Sequence, residues 1–244
     1  MPAFRTSAVV LAVRAHGEHG TVARFLTAER GMIAAYVRGG RSRAMRPVLM
    51  AGNGVTIDWR ARSEEQLGHA AVELVESRGA WHGEPLAADA IGWATTLTAA
   101  ALPEEAAYPR VHAALGGLLD AVCHAPSARR WVEALVRYEL LLLAELGFGL
   151  DLTSCAATGD TADLAFVSPK SARAVGRGAA AGHERALLPL PAFLADGTQP
   201  DWPALFGGLR LSGHFVAASL IDPRRTELFD ARSRLIDRLK RAAV

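Results

Sequence analysis

Ser127–Leu152 reads SARRWVEALVRYELLLLAELGFGLDL. Trp131, Leu135, Tyr138, Leu142, Glu145 and Leu146 recur there at spacings of three and four, and Val132, Val136, Leu140 and Leu143 fill much of the remaining circumference. The period is helical, and a helix apolar on nearly every side is normally the central member of a bundle. Ser127, after Pro126, stands where a residue caps a helix start. Gly147 and Gly149 end the pattern, since glycine enters the left-handed conformation at little cost. Other helices must cover this one.

They lie on both sides of it. Leu86–Ala101 has helical spacing at Leu86, Ala90, Trp93, Leu97 and Ala100, and Tyr108–His124 repeats the signal with Val111, Leu115, Leu118, Leu119 and Val122. Pro203–Leu220 and Thr226–Ala242 read as two more helices, and Pro189–Leu194 as a short helix or turn. Asp151–Arg177 interrupts the theme with small residues and turns.

The first eighty residues read differently. Strands are expected at Arg5–Arg14, Thr21–Thr27, Met32–Val37 and Gly54–Trp59, with a fifth at Gln66–Val75, whose alanines equally permit a helix. His16–Gly20 and Glu29–Gly31 are turns, and Arg38–Pro47 (RGGRSRAMRP) is a glycine-rich basic loop. Five short strands joined by tight turns suggest a small Greek-key barrel of the OB type. The expected fold class is thus α+β, an N-terminal OB barrel over residues 1–78 packed against a helical domain over 79–244. The only candidate junction is near Ser77–Gly83, with no long polar linker.

Composition bounds the function. Of 244 residues, half are hydrophobic, enough for a substantial core, and the net charge of +2 decides nothing about partners. Two cysteines, Cys123 and Cys155, make no disulfide framework and fit a reducing cytosol. Met1–Arg5 is not followed by a signal-peptide core, and no apolar run is long enough to span a membrane.

No catalytic constellation stands out. His16 and His19 flank a turn without a nearby Cys or Asp, so two solvated histidines are a simpler reading than a metal site. Cys123 sits in an apolar helix and reads as core, Ser168 is in no nucleophile-elbow sequence, and Gly39-Gly40 lacks any surrounding phosphate-loop pattern. The sharper feature is charge. Arg38, Arg41, Arg43 and Arg46 crowd into nine residues without an acid, and Arg60 and Arg62 follow the fourth strand. On a barrel rim such guanidinium groups bind phosphates without regard to base sequence. On spacing alone, a solvated loop is an equal alternative. Tyr36 and Trp59 are candidates either for base stacking or for the barrel core.

Three stretches carry a family resemblance. TVARFLTAERGMIAAYVRGGRSR (21–43) resembles the N-terminal region of the RecO family of bacterial recombination mediators. ELLLLAELGFGLDLTSCAATGDTADLAFVSPKSARAV (139–175) is similar to that family's central helix and the segment after it, and HFVAASLIDPRR (214–225) extends the likeness. The resemblance implies an OB fold followed by a helical domain. It implies a nonenzymatic mediator that binds single- and double-stranded DNA and anneals complementary strands. It also implies cooperation with RecR and single-stranded-DNA-binding protein, indirect help in loading RecA, and a cytoplasmic, nucleoid-associated location. The acidic, apolar-tipped tail of the single-stranded-DNA-binding protein would need arginines and an apolar pocket. Arg129, Arg130 and Arg137 are the candidate arginines, with Trp131, Leu86, Trp93 and Leu115 as apolar candidates.

One departure stands out. Some members carry two CxxC pairs after the central helix, forming a four-cysteine zinc site. Here the first pair reads Cys155-Ala-Ala-Thr158, and the second falls at Gly176 and Ala179. One thiolate cannot make such a site, so the expectation for residues 151–180 is a zinc-finger-like segment without zinc, packing Leu164, Phe166 and Val167 instead. The rival readings are a helical scaffold whose barrel binds a protein or oligosaccharide, and an enzyme using Asp151–Arg177.

Overall fold

A computed structural model of the chain describes residues 2–63 and 66–243. In chain order its elements are β1 (Ala3–His16), β2 (Gly20–Thr27), β3 (Gly31–Val37), β4 (Gly54–Arg60), β5 (Gly68–Glu76), α1 (Pro85–Ala101), α2 (Pro109–His124) and α3 (Ala128–Glu145). Then come β6 (Leu164–Val167), β7 (Ala174–Gly176), the one-turn α4 (Arg177–Ala180), β8 (Leu188–Pro189), the one-turn α5 (Ala192–Ala195), α6 (Trp202–Ser219) and α7 (Thr226–Ala242). They pack as two compact units, Met1–His124 with Thr226–Val244, and Ala125–Arg225.

In the first unit the five strands close into a barrel of order β1-β2-β3-β5-β4, and β4 returns to β1. β1 is long enough to pair twice: Ala3–Val9 lies along β4, and Val9–His16 along β2, with a register shift between Val10 and Ala12 that bends the strand. Alternation sends Val10, Phe25, Ile33, Ala35, Ile57 and Trp59 inward. Leu49, from the long β3–β4 loop, joins them. The basic loop is thus a series of turns pinned by an apolar anchor.

The helices α1, α2 and α7 belong to this unit, although the sequence division placed every helix after residue 78 in one domain. α1 packs on β1 and α2 on β2, and Val9, Leu11, Leu26 and Met32, outside the barrel's interior set, are buried as well. α7 packs on α1, where Arg238 pairs with Asp89 at 2.6 Å and the Arg232 guanidinium lies 5.8 Å from the Trp93 ring.

In the second unit α3 and α6 form the main helix pair. The buried Ser212 hydroxyl donates to the buried Glu139 carboxylate across it. Ser127 has extended N-cap angles, but its side chain makes no capping bond; its carbonyl instead accepts from the Arg130 amide. Gly147, at φ +86°, ends α3 as a Schellman motif: the Phe148 amide reaches the Leu143 carbonyl and the Gly147 amide the Ala144 carbonyl. Gly149 is not left-handed; a Cβ there would stand 3.1 Å from the Ala144 Cα, a tight contact that a bare glycine avoids. Asp151–Arg177 is more ordered than its small residues suggest, because β6 pairs with β7 and β8 in a three-stranded sheet.

Arg78, only 4% exposed, ties the barrel to α2. It donates through Nη1 to the Gly52 carbonyl (2.7 Å), through Nη2 to Glu76 (2.8 Å), and through Nη2 to Asp120 of α2. A buried guanidinium is tolerable only when largely matched, and here Nη1 and Nη2 carry the match while Nε is buried without a partner. Arg78→Ala should therefore lower the unfolding free energy by about 3 kcal/mol, the low end for a broken buried pair. The low end applies because the Glu76 and Asp120 side chains remain 50% and 56% exposed to water. Urea unfolding measures it; a loss below about 1 kcal/mol would show that the network adds no net stability.

Candidate nucleic-acid interface

The barrel brings the β1–β2 turn, the start of the β3–β4 loop, the end of β4 and the start of β5 around one strand end. Thr21 of β2 pairs with Val37 of β3, Tyr36 of β3 with His69 of β5, and His69 with Arg60 of β4. Arg38–Arg46 therefore emerges beside His16–Gly20, and the contact is direct. The Arg41 amide donates to the His19 carbonyl (3.3 Å), and its Nη1 donates to the carbonyls of Gly17 (3.2 Å) and Glu18 (3.0 Å). Two bare glycines allow this approach. At Gly40 a Cβ would meet Thr21 Oγ1 at 2.1 Å, and at Gly20 a Cβ would meet Tyr36 Oη at 2.2 Å.

The six arginines divide into two kinds. Arg41 holds the turn, and Arg46 donates through Nε to the Arg41 carbonyl at 3.1 Å. Arg60 chelates Asp58 through Nε and Nη2 at 3.1 and 3.2 Å, and that hydrogen-bonded guanidinium pulls the Asp58 carboxyl below its ordinary range. Arg38, Arg43 and Arg62 are exposed and make no ion pair among the described residues. Glu64 and Glu65, next to Arg62, lie outside the described residues.

The two aromatic candidates separate. Trp59 is core: it faces the barrel interior, stacks on Phe4 at 5.0 Å, and packs so closely that a Cβ on Gly68 would stand 2.1 Å from its ring. Tyr36 is half-buried on the outer side, between the rings of His16 (5.9 Å) and His69 (5.3 Å). Sequence pattern places His16 beside a solvated turn and gives no signal at His69. Seeing them together requires the parallel β3–β5 pairing, which no local pattern announces.

In the second unit, Arg129 and Arg130 are exposed beside a groove of about 290 Å³ with Gln199 and Asp201. Arg137 is fixed by Glu133 (2.9 Å) and by the Phe193 carbonyl (3.1 Å). Trp131 is 5% exposed and belongs to the core rather than to a pocket rim. Trp93 and Leu115 are buried and Leu86 half-buried in the first unit, whereas Trp131 belongs to the second.

The cysteine segment keeps a knuckle-like arrangement without the donors for a metal. Cys155, Val175 and Ala180 form a small core, joined by Leu164, Phe166, Ala179 and Leu187. Val167, expected among them, is buried but outside that cluster. The Gly176 amide donates to Cys155 Sγ at 3.3 Å. With the Thr158 hydroxyl and the Ala157 and Thr158 amides, it draws the thiol down to about 7. The positions around the sulfur are thus Thr158, Gly176 and Ala179, and among the described residues no three His, Cys, Asp or Glu side chains gather as a metal set. Zinc does not fit this donor set. Purified protein should contain no stoichiometric zinc, and chelation should leave its melting temperature unchanged; one tightly held zinc per chain would overturn the assignment.

Comparison with known proteins agrees with this architecture. The profile described as Recombination protein O N terminal matches residues 1–78, and that described as Recombination protein O C terminal matches residues 86–219. The chain belongs to the RecO family. The DNA repair protein RecO of Phenylobacterium zucineum is 44% identical over 242 residues, covering 98% of each chain. That of Jannaschia sp. is 42% identical over 244 residues (99% and 98%), and that of Rhodospirillum rubrum 41% over 238 residues (96% and 94%). Among the described residues no helix is long and apolar enough to cross a membrane.

Proposed function

We propose that this chain is a nonenzymatic DNA-binding mediator of recombinational repair, whose barrel is an OB fold that binds phosphates at its arginine rim. The observation that carries the reading is the convergence of Arg38, Arg43 and Arg62 with the β1–β2 turn at one end of the barrel, exposed and unpaired among the described residues. The strand order β1-β2-β3-β5-β4 supports the OB assignment, and such barrels bind oligonucleotides through these strands and loops. Arg41 and Arg46 shape the loop, and Arg60 extends the patch with its charge partly matched. On this reading residues 1–78 are the DNA-binding domain. The chain binds single and double strands, anneals complements, and works with RecR and the single-stranded-DNA-binding protein to assist RecA loading in the cytoplasm at the nucleoid.

Binding of labelled single strands and duplex across a salt series tests this reading. Replacing Arg38 and Arg43 together with alanine should weaken binding alike for all sequences. It should also flatten the log–log salt slope by about 1.4 for single strands and about 1.8 for duplex. An unchanged slope would remove the assignment and favour a scaffold whose barrel takes a ligand other than nucleic acid.

For the protein partner, Arg129 and Arg130 are the tail-binding arginines, Arg137 holds the Phe193 segment, and Trp131 supports α3 from the core. A fluorescent acidic peptide with apolar C-terminal residues should bind at low salt, and Arg129→Ala with Arg130→Ala should weaken it about tenfold. If rim-arginine changes alter the affinity and these do not, the tail binds the barrel instead.

A further inference from the structure

A row of outward-facing residues crosses the barrel at one register. Arg14 of β1 pairs with Val22 of β2, Val22 with Tyr36 of β3, Tyr36 with His69 of β5, and His69 with Arg60 of β4. Arg14, His69 and Arg60 are exposed, while Val22 and Tyr36 are half-buried. His16, one outward position beyond Arg14, brings a third ring to Tyr36 at 5.9 Å. The row therefore has a guanidinium at each end and aromatic surface in the middle. Four inter-strand steps of about 4.8 Å make it roughly 19 Å long.

We propose that this row is a single-strand track: His16, Tyr36 and His69 stack bases, while Arg14 holds a flanking phosphate. The proposal rests on the reading of the barrel as a DNA-binding OB fold, and adds the element that distinguishes single strands from duplex. Bases paired inside a duplex cannot stack on protein rings, whereas every unpaired base has a face to offer. The rim arginines, acting on phosphates, serve both forms. Arg14 makes no ion pair among the described residues, so its charge is available to a phosphate. The cluster is also built into the strands. Gly20 leaves its side-chain space to the Tyr36 ring, and the rings of His16 and His69 meet that ring at 78° and 74°. A filler for the outside of a barrel would not require two exposed, polar-edged rings around a third.

The full chain is tested with three labelled ligands at one salt concentration: a normal single strand, an abasic single strand of equal length, and duplex. The wild type should prefer the normal over the abasic strand on the order of tenfold, the advantage of base stacking. His16→Ala with His69→Ala, two exposed positions, should remove most of that preference and leave duplex affinity and the salt slope unchanged. Tyr36→Phe should retain the preference, because the ring remains. Arg14→Ala should lower the single-strand salt slope by about 0.7 and leave the abasic discrimination intact. Equal affinity of the wild type for normal and abasic strands, or a double-histidine variant that keeps the preference, overturns the track while leaving rim binding of phosphates standing. Absence of salt-dependent binding to any of the three ligands overturns both.

Discussion

A buried polar junction at Asn53 and Arg78 fixes the basic loop, the end of β5 and helix α2 to one another. The Asn53 amide donates to the Pro47 and Val48 carbonyls at 2.8 and 3.1 Å, and its Oδ1 accepts from the Arg78 amide at 2.8 Å. Arg78 in turn holds the Gly52 carbonyl and the carboxylates of Glu76 and Asp120. Three chain segments thus meet at groups that water would otherwise claim: the end of the basic loop, the end of β5 and helix α2. Leaving a buried donor or acceptor of Asn53 or Arg78 unmatched costs about 1–3 kcal/mol, so polar matching as well as apolar burial holds the segments together. The consequence reaches the interface. Asn53 and Leu49 anchor the loop at its far end and Arg41 at its near end, so Arg38 and Arg43 project from a fixed frame.

The same frame explains why particular small residues recur on the rim. Gly20, Gly40 and Gly68 do not share a backbone peculiarity; each leaves room for a neighbour, the rings of Tyr36 and Trp59 and the hydroxyl of Thr21. Any side chain at Gly68 would displace Trp59 from the barrel interior, and any at Gly20 would lift Tyr36 from the strand beneath it. Core packing and the outer aromatic cluster are in this way coupled through strand register, because adjacent residues of β3 face opposite sides: Ala35 inward, Tyr36 outward.

Much of this was legible in the sequence, and the residues missed have a common cause. Strand alternation and turn glycines announced all five barrel strands, and the three-four spacing announced α1, α2, α3, α6 and α7 within a few residues. What sequence pattern does not carry is which distant segments share a contact. Trp93 and Leu115, offered as pocket residues, carry the same apolar label as any core residue, and only packing assigns them. Arg78 carries no signal of burial in the sequence, because charge predicts exposure until three acceptors are found to surround it. β6 and β7 escaped because strands of four and three residues barely establish a period. The His16–Tyr36–His69 cluster escaped because a parallel pairing between β3 and β5 has no local signature.

The arginines show why a count of charge is a poor measure of an interface. Six guanidiniums in residues 38–62 look equivalent in sequence, yet their partners rank them. A phosphate approaching Arg60 must compete with a bidentate carboxylate already in place, and gains only the difference between two similar charge-assisted bonds. Arg41 has two carbonyls to give up, and with them the conformation of the β1–β2 turn. Arg38 and Arg43 have neither to surrender, so a phosphate meets them at the cost of side-chain ordering and water alone. The arginines that build the rim and those available to a ligand are therefore largely different residues, although they alternate along one loop. That division lets the loop stay ordered before anything binds, which, on the proposed reading of the rim, lowers the entropy lost when a strand is captured.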